Sequence, residues 1–447
     1  MGARAEPGGP RFVAPASGGR RVPTPPTVSC SVAAAAPWPK VRLGEICEIY
    51  DCPHTTAPDE GEGYPLVRTP NVGRGRLIFD KMHRVSREVY DRRNKRAVPK
   101  AGDIIFAREA PAGNTALITD GQQVCLGQRT VLIRPNNKIT DSAYLAYCII
   151  SPKVQERLLG ISHGSTVSHV NMPDIVNLEV PLPPLSTQCA IGKKLNQYDD
   201  LIENNKKRIA ILERMAEHLY KEWFVRRRFP GHDAGVAENL TQRSRDAEEQ
   251  RREIGRAAST MPPGWKVERL GNLADISTGK CNREDAEEDG VYPLFDRSQE
   301  TKRSNEWIKD CEAIIVPGEG TSFMPRYYKG KFNLHQRCYC VAPQMEGIGK
   351  YLFYAIMLNR RYFLSVATGA TVPSLRQNNF LSMKIIWPGK ELAKRFDEVA
   401  SRLFALKDNL QRQNALLSRQ RDLLLPRLMS GKMAAAESLP TGQEVKS

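Results

Sequence analysis

The sequence lacks the features of a membrane-spanning or a disulfide-bonded secreted protein. No apolar run of about 18 residues occurs in the chain, so no transmembrane helix is expected. Its 10 cysteines include no Cys-x-x-Cys pair. The group Cys47, Cys52 and His54 lacks a fourth ligand and the spacing of a zinc site. We therefore expect free, reduced thiols, no metal site and a cytoplasmic protein.

Motifs of the common enzyme classes are also missing. Ser430-Gly431-Lys432 lacks the upstream glycine and the following Ser or Thr of a phosphate-binding loop. No amino-methyltransferase Asp/Asn-Pro-Pro-Tyr/Phe step, metalloprotease His-Glu-x-x-His or nucleophile-elbow motif occurs. We predict no catalytic residue and no cofactor, and hence a binding protein rather than an enzyme.

Acidic residues are too few to balance the basic ones. The 447 residues include 50 Asp and Glu against 66 Lys and Arg, for a formal net charge of +16. An excess of this size bears on the partners of a protein rather than on its fold. Nucleic acid is the first candidate partner, and an anionic membrane surface is the second.

Residues 195–223 have the spacing of a coiled-coil seam. Apolar positions recur at steps of three and four residues, which is the repeat of paired helices. Charged side chains occupy the positions between them, so a lone helix would leave this narrow stripe in water. The predicted seam residues are Leu195, Tyr198, Ile202, Asn205, Ile209, Leu212, Ala216, Leu219 and Trp223.

A second segment with this spacing lies near the C-terminus. We predict that the two helices form an antiparallel intramolecular coiled coil, because tethering in one chain raises their local concentration. Pairing of each helix with another molecule is the alternative. Asn205, Gln413 and Gln420 would be buried amides that fix the register. The predicted apolar positions are Leu392, Phe396, Val399, Leu403, Leu406, Leu410, Leu417 and Leu424.

Two copies of one unit make up most of the chain. Residues 38–48 read WPKVRLGEICE and residues 265–275 read WKVERLGNLAD. The correspondence continues through a Tyr-Pro-Leu step, a Gln-Arg step, a Tyr-Leu step and a glycine turn, and each copy ends in its heptad helix. The matching segments are residues 63–66 and 291–294, 128–132 and 336–340, 144–147 and 351–354, and 164–167 and 369–372. Shared positions are turns and strand cores, whereas the residues between them diverge.

Each copy mixes short β-like runs with a stretch of helical spacing. The predicted fold class is therefore α+β, with two tandem recognition modules, each followed by a long helix. The N-terminal arm and the linker are poor in large apolar residues and are expected to be disordered or loosely structured. The predicted boundaries are arm 1–37, module one 38–186, first spacer helix 187–228, linker 229–262, module two 263–389, second spacer helix 390–430 and flexible tail 431–447.

Basic and amide side chains cluster in the divergent parts of both modules. Lys and Arg neutralise phosphates, Arg can contact guanine with two hydrogen bonds, and Asn or Gln can do so with adenine. A solvated basic surface without a ligand is the alternative. The DNA-binding candidates are Arg68, Asn71, Arg74, Arg76, Arg108, Gln128, Arg129, Arg297, Arg303, Arg326, Gln336 and Arg337.

The order of module, heptad helix, module and heptad helix resembles the specificity (S) subunit of type I restriction-modification systems. The resemblance covers residues 38–433. Its motifs are the two module starts, the stretch GSTVSHVNMPDIVNLEVPLPPLSTQ at residues 164–188, LYKEWF at 219–224 and LLLPRLMSGK at 423–432. Together these motifs are specific, whereas each alone is weak.

The resemblance implies a non-catalytic reader of double-stranded DNA. Each module would read one half of a split, asymmetric target, and the helix pair would be a spacer of roughly 45 Å for 30 residues. Modification (methyltransferase) subunits, two in number, would dock on the helices, and translocating restriction subunits would join them. The helix ends, including Trp223 and Phe224, are candidate docking surface.

Two other functions fit the same sequence features. One is the specificity protein of a related enzyme in which restriction and modification share one partner chain. The other is a basic coiled-coil structural or interaction protein, which would bind DNA without sequence preference.

Overall fold

The computed structural model describes residues 38–160, 169–230, 261–369 and 371–431. The predicted arm, the glycine turn at 164–167, and most of the predicted linker and tail lie outside the described residues.

Module one is built on two small sheets. One has the strand order β2-β8-β5-β6, the other the order β4-β3-β7, and β1 pairs separately with β9. The helix α6 is continued by a π-helical turn, Lys221–Val225. The elements are β1 (Lys40–Arg42), α1 (Leu43–Ile46), β2 (Cys47–Asp51), β3 (Tyr64–Val67), β4 (His83–Val85), α2 (Arg87–Arg93), β5 (Ile104–Ala107), β6 (Thr115–Leu117), β7 (Cys125–Leu126), β8 (Thr130–Pro135), α3 (Ser142–Ile149), α4 (Pro152–Gly160), α5 (Met172–Val176), β9 (Glu179–Pro181) and the long helix α6 (Leu185–Tyr220).

Module two repeats this plan with one six-stranded sheet, in the order β11-β16-β14-β15-β12-β13. As β1 does with β9, β10 pairs with β17, so the start of each module is joined to its end. The elements are β10 (Lys266–Arg269), β11 (Ala274–Thr278), β12 (Tyr292–Phe295), β13 (Thr301–Ser304), β14 (Lys309–Pro317), β15 (Arg326–Leu334), β16 (Cys338–Pro343), α7 (Gly349–Leu358), α8 (Arg361–Val366), α9 (Gln377–Leu381), β17 (Lys384–Trp387) and the long helix α10 (Lys390–Met429).

The difference between the sheets has one cause. In module one, β6 pairs antiparallel with β5 and the separate strand β7 pairs parallel with β3. In module two, the single strand β15 makes both pairings, antiparallel with β14 and parallel with β12. The continuous strand therefore joins two sheets into one. The repeat inferred from sequence is therefore a repeat of topology, and the two copies differ in strand length.

Two repeated sequence steps have matching structural roles. A Cβ on Gly44 would lie 2.7 Å from Val176 Cγ1, and one on Gly271 would lie 2.8 Å from Leu381 Cδ2, so both Arg-Leu-Gly steps allow close packing. The buried hydroxyl of Tyr144 donates to the Pro181 carbonyl, and that of Tyr351 to the Ile386 carbonyl. Each tyrosine thereby ties a module helix to the strand that precedes the long helix.

The start of each long helix is anchored to its module by a polar side chain. In module one, Gln188 is buried and its Oε1 accepts from the Asp141 amide at 3.0 Å. In module two, Asp397 Oδ1 accepts from the Lys350 amide at 2.6 Å. Asp397 thus supplies the acceptor at the second junction, which lacks the Pro-Pro-x-x-x-Gln step of the first.

The two long helices pair antiparallel within the chain, as predicted. Asn205 contacts Asn414 at 3.0 Å, and Glu213 contacts Lys407 at 3.7 Å. Asp199 contacts Arg421 farther along the pair. Residue numbers rise on α6 as they fall on α10, so the helices run in opposite directions.

Each end of the helix pair is part of a module core. Leu195 packs with Leu425, Leu428 and Met429 in the core of module one. At the other end, Tyr220, Trp223 and Phe224 pack with Phe396 and Phe404 in the core of module two. Trp223 and Phe224 are 7% and 2% exposed, so they are unsuitable as docking surface, contrary to expectation.

On α6, the predicted seam residues Leu195, Ile202 and Asn205 are buried, and Ile209, Leu212 and Leu219 are half-buried. The prediction for Val399 on α10 is wrong, because its side chain is 41% exposed. The neighbouring Ala400 is buried instead, and likewise Asn414 rather than Gln413 meets Asn205. The seam alternates apolar positions with small or polar ones and runs through Ala393, Phe396, Ala400, Leu403, Lys407, Leu410, Asn414, Leu417, Arg421, Leu424 and Leu428.

Candidate DNA interface

Several candidate arginines and amides of module one hold the module together. Asn71 is buried, accepts from the Arg68 amide and donates to the Ile78 carbonyl, so its amide is used within the loop. Arg68 is half-buried, with an Nε that has no hydrogen-bond partner among the described residues. The structure argues against Asn71 as a base reader.

Arg108 is likewise internal, with 9% of its surface exposed. Its Nε donates to the Val170 carbonyl at 2.9 Å, and its Nη1 lies 3.4 Å from Asp51 Oδ1. Its Nη2 lies 3.1 Å from His169 Nε2. Burial, together with the charges of Arg108 and Arg129, lowers the pKa of His169, which favours the neutral imidazole that can accept from Arg108. The Arg108 guanidinium therefore has a structural role.

Arg74 and Arg76 lie on the loop after β3 and reach toward the helices. The exposed Arg74 donates to the Ile150 carbonyl at 3.0 Å. Arg76, with 13% of its side chain exposed, forms an ion pair with Asp200 on α6 at 2.7 Å. The second contact joins the loop to the helix pair. Arg74 remains accessible to a ligand, whereas Arg76 is largely covered.

Gln128 and Arg129 lie at the surface immediately before β8. Gln128 Nε2 donates to the His54 carbonyl at 2.5 Å and holds the loop that follows β2. The side chain of Arg129 is 62% exposed and forms an ion pair with Glu109. Of the module-one candidates, Arg74 and Arg129 present the most accessible guanidinium groups.

In module two, the equivalent step is Gln336-Arg337, just before β16. Gln336 Nε2 donates to Asn282 Oδ1 at 2.7 Å. Arg337 and Arg297 contact the two oxygens of Glu319 at 2.9 and 2.7 Å, respectively. Their side chains are 59% and 49% exposed. Two surface guanidinium groups thus converge on one carboxylate.

The other two module-two candidates differ in accessibility. Arg326 is half-buried, donates to the Asp296 carbonyl at 2.6 Å and lies 4.8 Å from the Phe295 ring centre. Burial lowers the pKa of Arg326, although the group stays charged. Arg303 is exposed and forms no ion pair with another described residue. Arg303 is therefore a free cation suited to a phosphate contact.

Sequence reasoning missed the carboxylates Glu109 and Glu319. Each follows a core strand, and each contacts the arginine of the repeated Gln-Arg step. The Gln-Arg step itself was visible as a repeat, but nothing local in the sequence pairs it with a glutamate. Also missed was the exposed Trp307, whose ring lies 4.5 Å from Lys331 Nζ.

The family model for the type I restriction modification DNA specificity domain matches residues 36–214 and 262–416. The chain belongs to this family. The two matched regions cover both modules and most of both long helices. Its role is accordingly that of a DNA specificity subunit.

Relatives and a solved structure agree with this assignment. The type I restriction enzyme MjaIX specificity subunit of Methanocaldococcus jannaschii is 26% identical over a 376-residue alignment, which covers 76% of this chain and 80% of that one. The putative type I MjaX specificity subunit of the same organism is 23% identical over a 431-residue alignment, which covers 89% of this chain and 93% of that one. The type I S subunit structure from M. genitalium matches with a TM-score of 0.51 at 17% identity, covering 88% of this chain and 96% of that one. The last match concerns the fold alone.

Within the described ranges, no helix is long and apolar enough to cross a membrane. Those same ranges contain no cluster of three or more His, Cys, Asp or Glu residues suited to a metal ion.

Proposed function

We propose that this chain selects a split, asymmetric DNA target for a type I restriction-modification complex, with each module reading one half. One observation carries the proposal: two modules of like topology are built onto opposite ends of one antiparallel helix pair. Because each module core includes residues from both long helices, the distance between modules is fixed by the rod. The divergent surfaces around Arg129 and Arg337 support different half-sites.

The length of the rod suits separated half-sites. Residues 196–215 and 405–423 lie between the two module cores. At 1.5 Å per residue each stretch spans about 30 Å, less than the roughly 45 Å expected from sequence, because both ends of each helix are built into a module core. One turn of B-DNA is roughly 34–36 Å. Modules at the two ends of such a spacer can face the same side of a duplex about one turn apart, with unread base pairs between them.

The chain itself supplies recognition rather than chemistry. Methyl transfer and cleavage belong to partner subunits, so the purified chain is expected to neither methylate nor cut DNA. The exposed cations Lys81, Arg92, Lys280 and Lys329 form no ion pair with other described residues, and they support phosphate contacts in both modules. These contacts would position the protein, while base contacts would give the sequence preference.

A second row of apolar side chains on the helix pair supports docking of modification subunits. Each member immediately precedes a seam residue, and in an antiparallel pair such positions lie on the same side of both helices. Their exposed fractions run from 41% to 60%. The row consists of Leu201, Ile211 and Met215 on α6, and Val399, Leu406, Leu416 and Leu423 on α10.

Exposed apolar residues grouped in this way mark a site of protein association. Helices of two modification subunits would cover the row and complete a helical bundle around the rod. Restriction subunits would then join through the modification subunits.

The test is to purify the chain with the modification subunit encoded beside it and to methylate a library of random duplex DNA. The proposal predicts a stable complex that methylates adenine in two short motifs separated by unread base pairs. A complex that methylates without sequence preference, or no complex at all, would contradict it. The second outcome would favour a structural coiled-coil protein.

A further inference from the structure

An arginine–glutamate pair occurs at the same position in both modules. Arg129, one residue before β8, contacts Glu109, two residues after β5. Arg337, one residue before β16, contacts Glu319, two residues after β14. The surrounding surfaces diverge strongly, so the presence of this pair in both copies indicates a role that the two modules share.

The backbone around the pair is also the same in both modules. The amide of Arg108 donates to the Arg129 carbonyl at 2.9 Å, and that of Gly318 donates to the Arg337 carbonyl at 2.8 Å. Both hydrogen bonds join the residue before the glutamate to the arginine itself. The backbone pairing at the ends of these strands therefore places the glutamate next to the arginine.

In each module, a third segment pairs with this backbone: the residues that follow 164–167 or 369–372 in the sequence. The Val170 amide donates to the Arg108 carbonyl at 3.0 Å, and the Leu375 amide donates to the Gly318 carbonyl at 2.7 Å. In module two, Glu319 also forms a β-bridge with Ser374. Three segments thus meet at each glutamate, and their backbones hold it in place.

Burial within each pair is unequal. The side chains of Glu109 and Glu319 are 14% and 15% exposed, whereas those of Arg129 and Arg337 are 62% and 59% exposed. A largely covered carboxylate therefore fixes a guanidinium that stands at the surface. Arg129 also has a left-handed backbone, with φ of +61°, which is uncommon for a residue other than glycine and is often found at functional sites.

The two modules differ in what else contacts the glutamate. In module one, His169 Nδ1 lies 3.5 Å from Glu109 Oε2. In module two, a second arginine, Arg297, contacts Glu319 at 2.7 Å. One retained pair with a different third partner is the arrangement expected where each module reads a different base sequence.

We propose that Glu109 and Glu319 are positioning residues that hold Arg129 and Arg337 for contact with one guanine in each half-site. This inference rests on the proposed function. A guanidinium has five N–H donors, so a carboxylate can hold one edge while another donates to guanine O6 and N7. Holding the side chain in advance reduces the conformational entropy lost on binding.

The experiment maps methylation by the complex of this chain with its modification subunits. The variants are Arg337→Ala, Arg337→Lys and Glu319→Gln in module two, and Arg129→Ala, Arg129→Lys and Glu109→Gln in module one. The lysine variants keep the charge but lose the forked geometry. Arg157→Ala is the matched control, because Arg157 forms a surface arginine–glutamate pair with Glu179, at 3.5 Å and with 39% and 52% exposure, rather than with Glu109 or Glu319.

We expect all three module-two variants to relax the same guanine-containing base pair in one half-site. Discrimination at that base pair should fall roughly tenfold to a hundredfold, with the other half-site unchanged. The module-one variants should do the same in the other half-site. Glu319→Asp, which keeps a carboxylate, should retain part of the discrimination that Glu319→Gln loses. The control should methylate the wild-type motif.

A purely structural pair would lower methylation at every site alike, without changing the motif. That result, or an unchanged motif in Arg129→Ala and Arg337→Ala, would overturn the inference while the split wild-type motif still stood. Absence of a split motif in the wild-type complex would instead overturn the proposed function, and the inference with it.

Discussion

Asn205 Nδ2 on α6 donates a hydrogen bond to Asn414 Oδ1 on α10, at 3.0 Å. Asn414 Nδ2 in turn lies 3.4 Å from the Ile202 carbonyl. This amide pair lies within the helix seam, between the two module cores. Because a shift of either helix would separate the two amides, the pair fixes the register and with it the distance between the modules.

Replacement of one amide should cost more than replacement of both. Asn205→Leu leaves Asn414 Oδ1 without its donor in a seam where Asn205 is only 7% exposed, so we expect a loss of about 1–3 kcal/mol in the free energy of unfolding. The double variant Asn205→Leu/Asn414→Leu should be close to wild type or more stable, since an apolar pair fills the same space. Urea denaturation measures both, and equal losses in the two variants would contradict the pairing.

Two acids on α6, Asp199 and Glu203, should differ in their contribution to stability. Asp199 is 3% exposed and accepts from both Tyr147 and Arg421. Asp199→Asn should cost about 1–3 kcal/mol, because Arg421 loses its buried partner and keeps only Asp422, which is 53% exposed. Glu203→Gln is the control: Glu203 and Lys206 are 39% and 61% exposed in their ion pair, so about 0–1 kcal/mol is expected. A similar cost for both variants in chemical denaturation would be inconsistent with this network.

The seam and the proposed docking row can be separated at neighbouring positions. Leu212 lies half-buried in the seam, whereas Ile211 is 47% exposed in the second row. Leu212→Asp should lower the melting temperature of the chain and damage assembly, because a charge enters the helix seam. Ile211→Asp should leave the melting temperature near wild type and weaken co-purification with modification subunits. Normal modification activity in Leu212→Asp would refute the seam assignment.

The outward face of α10 provides a control for the docking row. Arg412 is exposed two residues beyond the seam position Leu410 and lies outside the second row. Arg412→Asp should leave both stability and partner binding unchanged, whereas Leu406→Asp and Leu416→Asp should each weaken binding. Equal binding by all three variants would indicate that the partners dock elsewhere.

Acid should weaken module two through Asp296. Burial raises the pKa of this carboxyl, but hydrogen bonds from Lys302 and Ser298 outweigh it and lower the pKa from 3.8 to about 2. A pKa lower in the folded state gives stability that is present above pH 4 and lost as the pH falls toward 2. Asp296→Asn should therefore lose roughly 2 kcal/mol at pH 7 and converge with wild type near pH 2. The exposed Asp310→Asn is the control, and a parallel acid limb for wild type and Asp296→Asn would contradict the assignment.

The α+β fold class and the antiparallel helix pair could be predicted from sequence, and both are confirmed. On α6, the seam positions are mostly large and apolar, so periodicity alone identifies them. On α10, the seam includes Lys407, Asn414 and Arg421, which are covered only because α6 supplies their partners. Val399 and Leu406 each lie one residue before a seam position, Ala400 and Lys407. Because they are apolar and similarly spaced, they were mistaken for seam residues.

The candidate site was less predictable for a related reason. Basic residues could be identified by type, but Arg108 and Arg76 are held by acids far away in sequence, Asp51 and Asp200. Whether an arginine is internal or free depends on such long-range contacts. The sequence therefore indicates that both modules are basic, but it does not distinguish structural arginines from accessible ones.

The most direct test of the central claim is a methylation map of host DNA with and without this chain. Two-part recognition predicts an adenine-methylation motif with two specified halves and an unread gap of fixed length, and it predicts that the motif disappears when the chain is deleted. A methylation pattern that is unchanged by the deletion would contradict the claim that this chain selects the target.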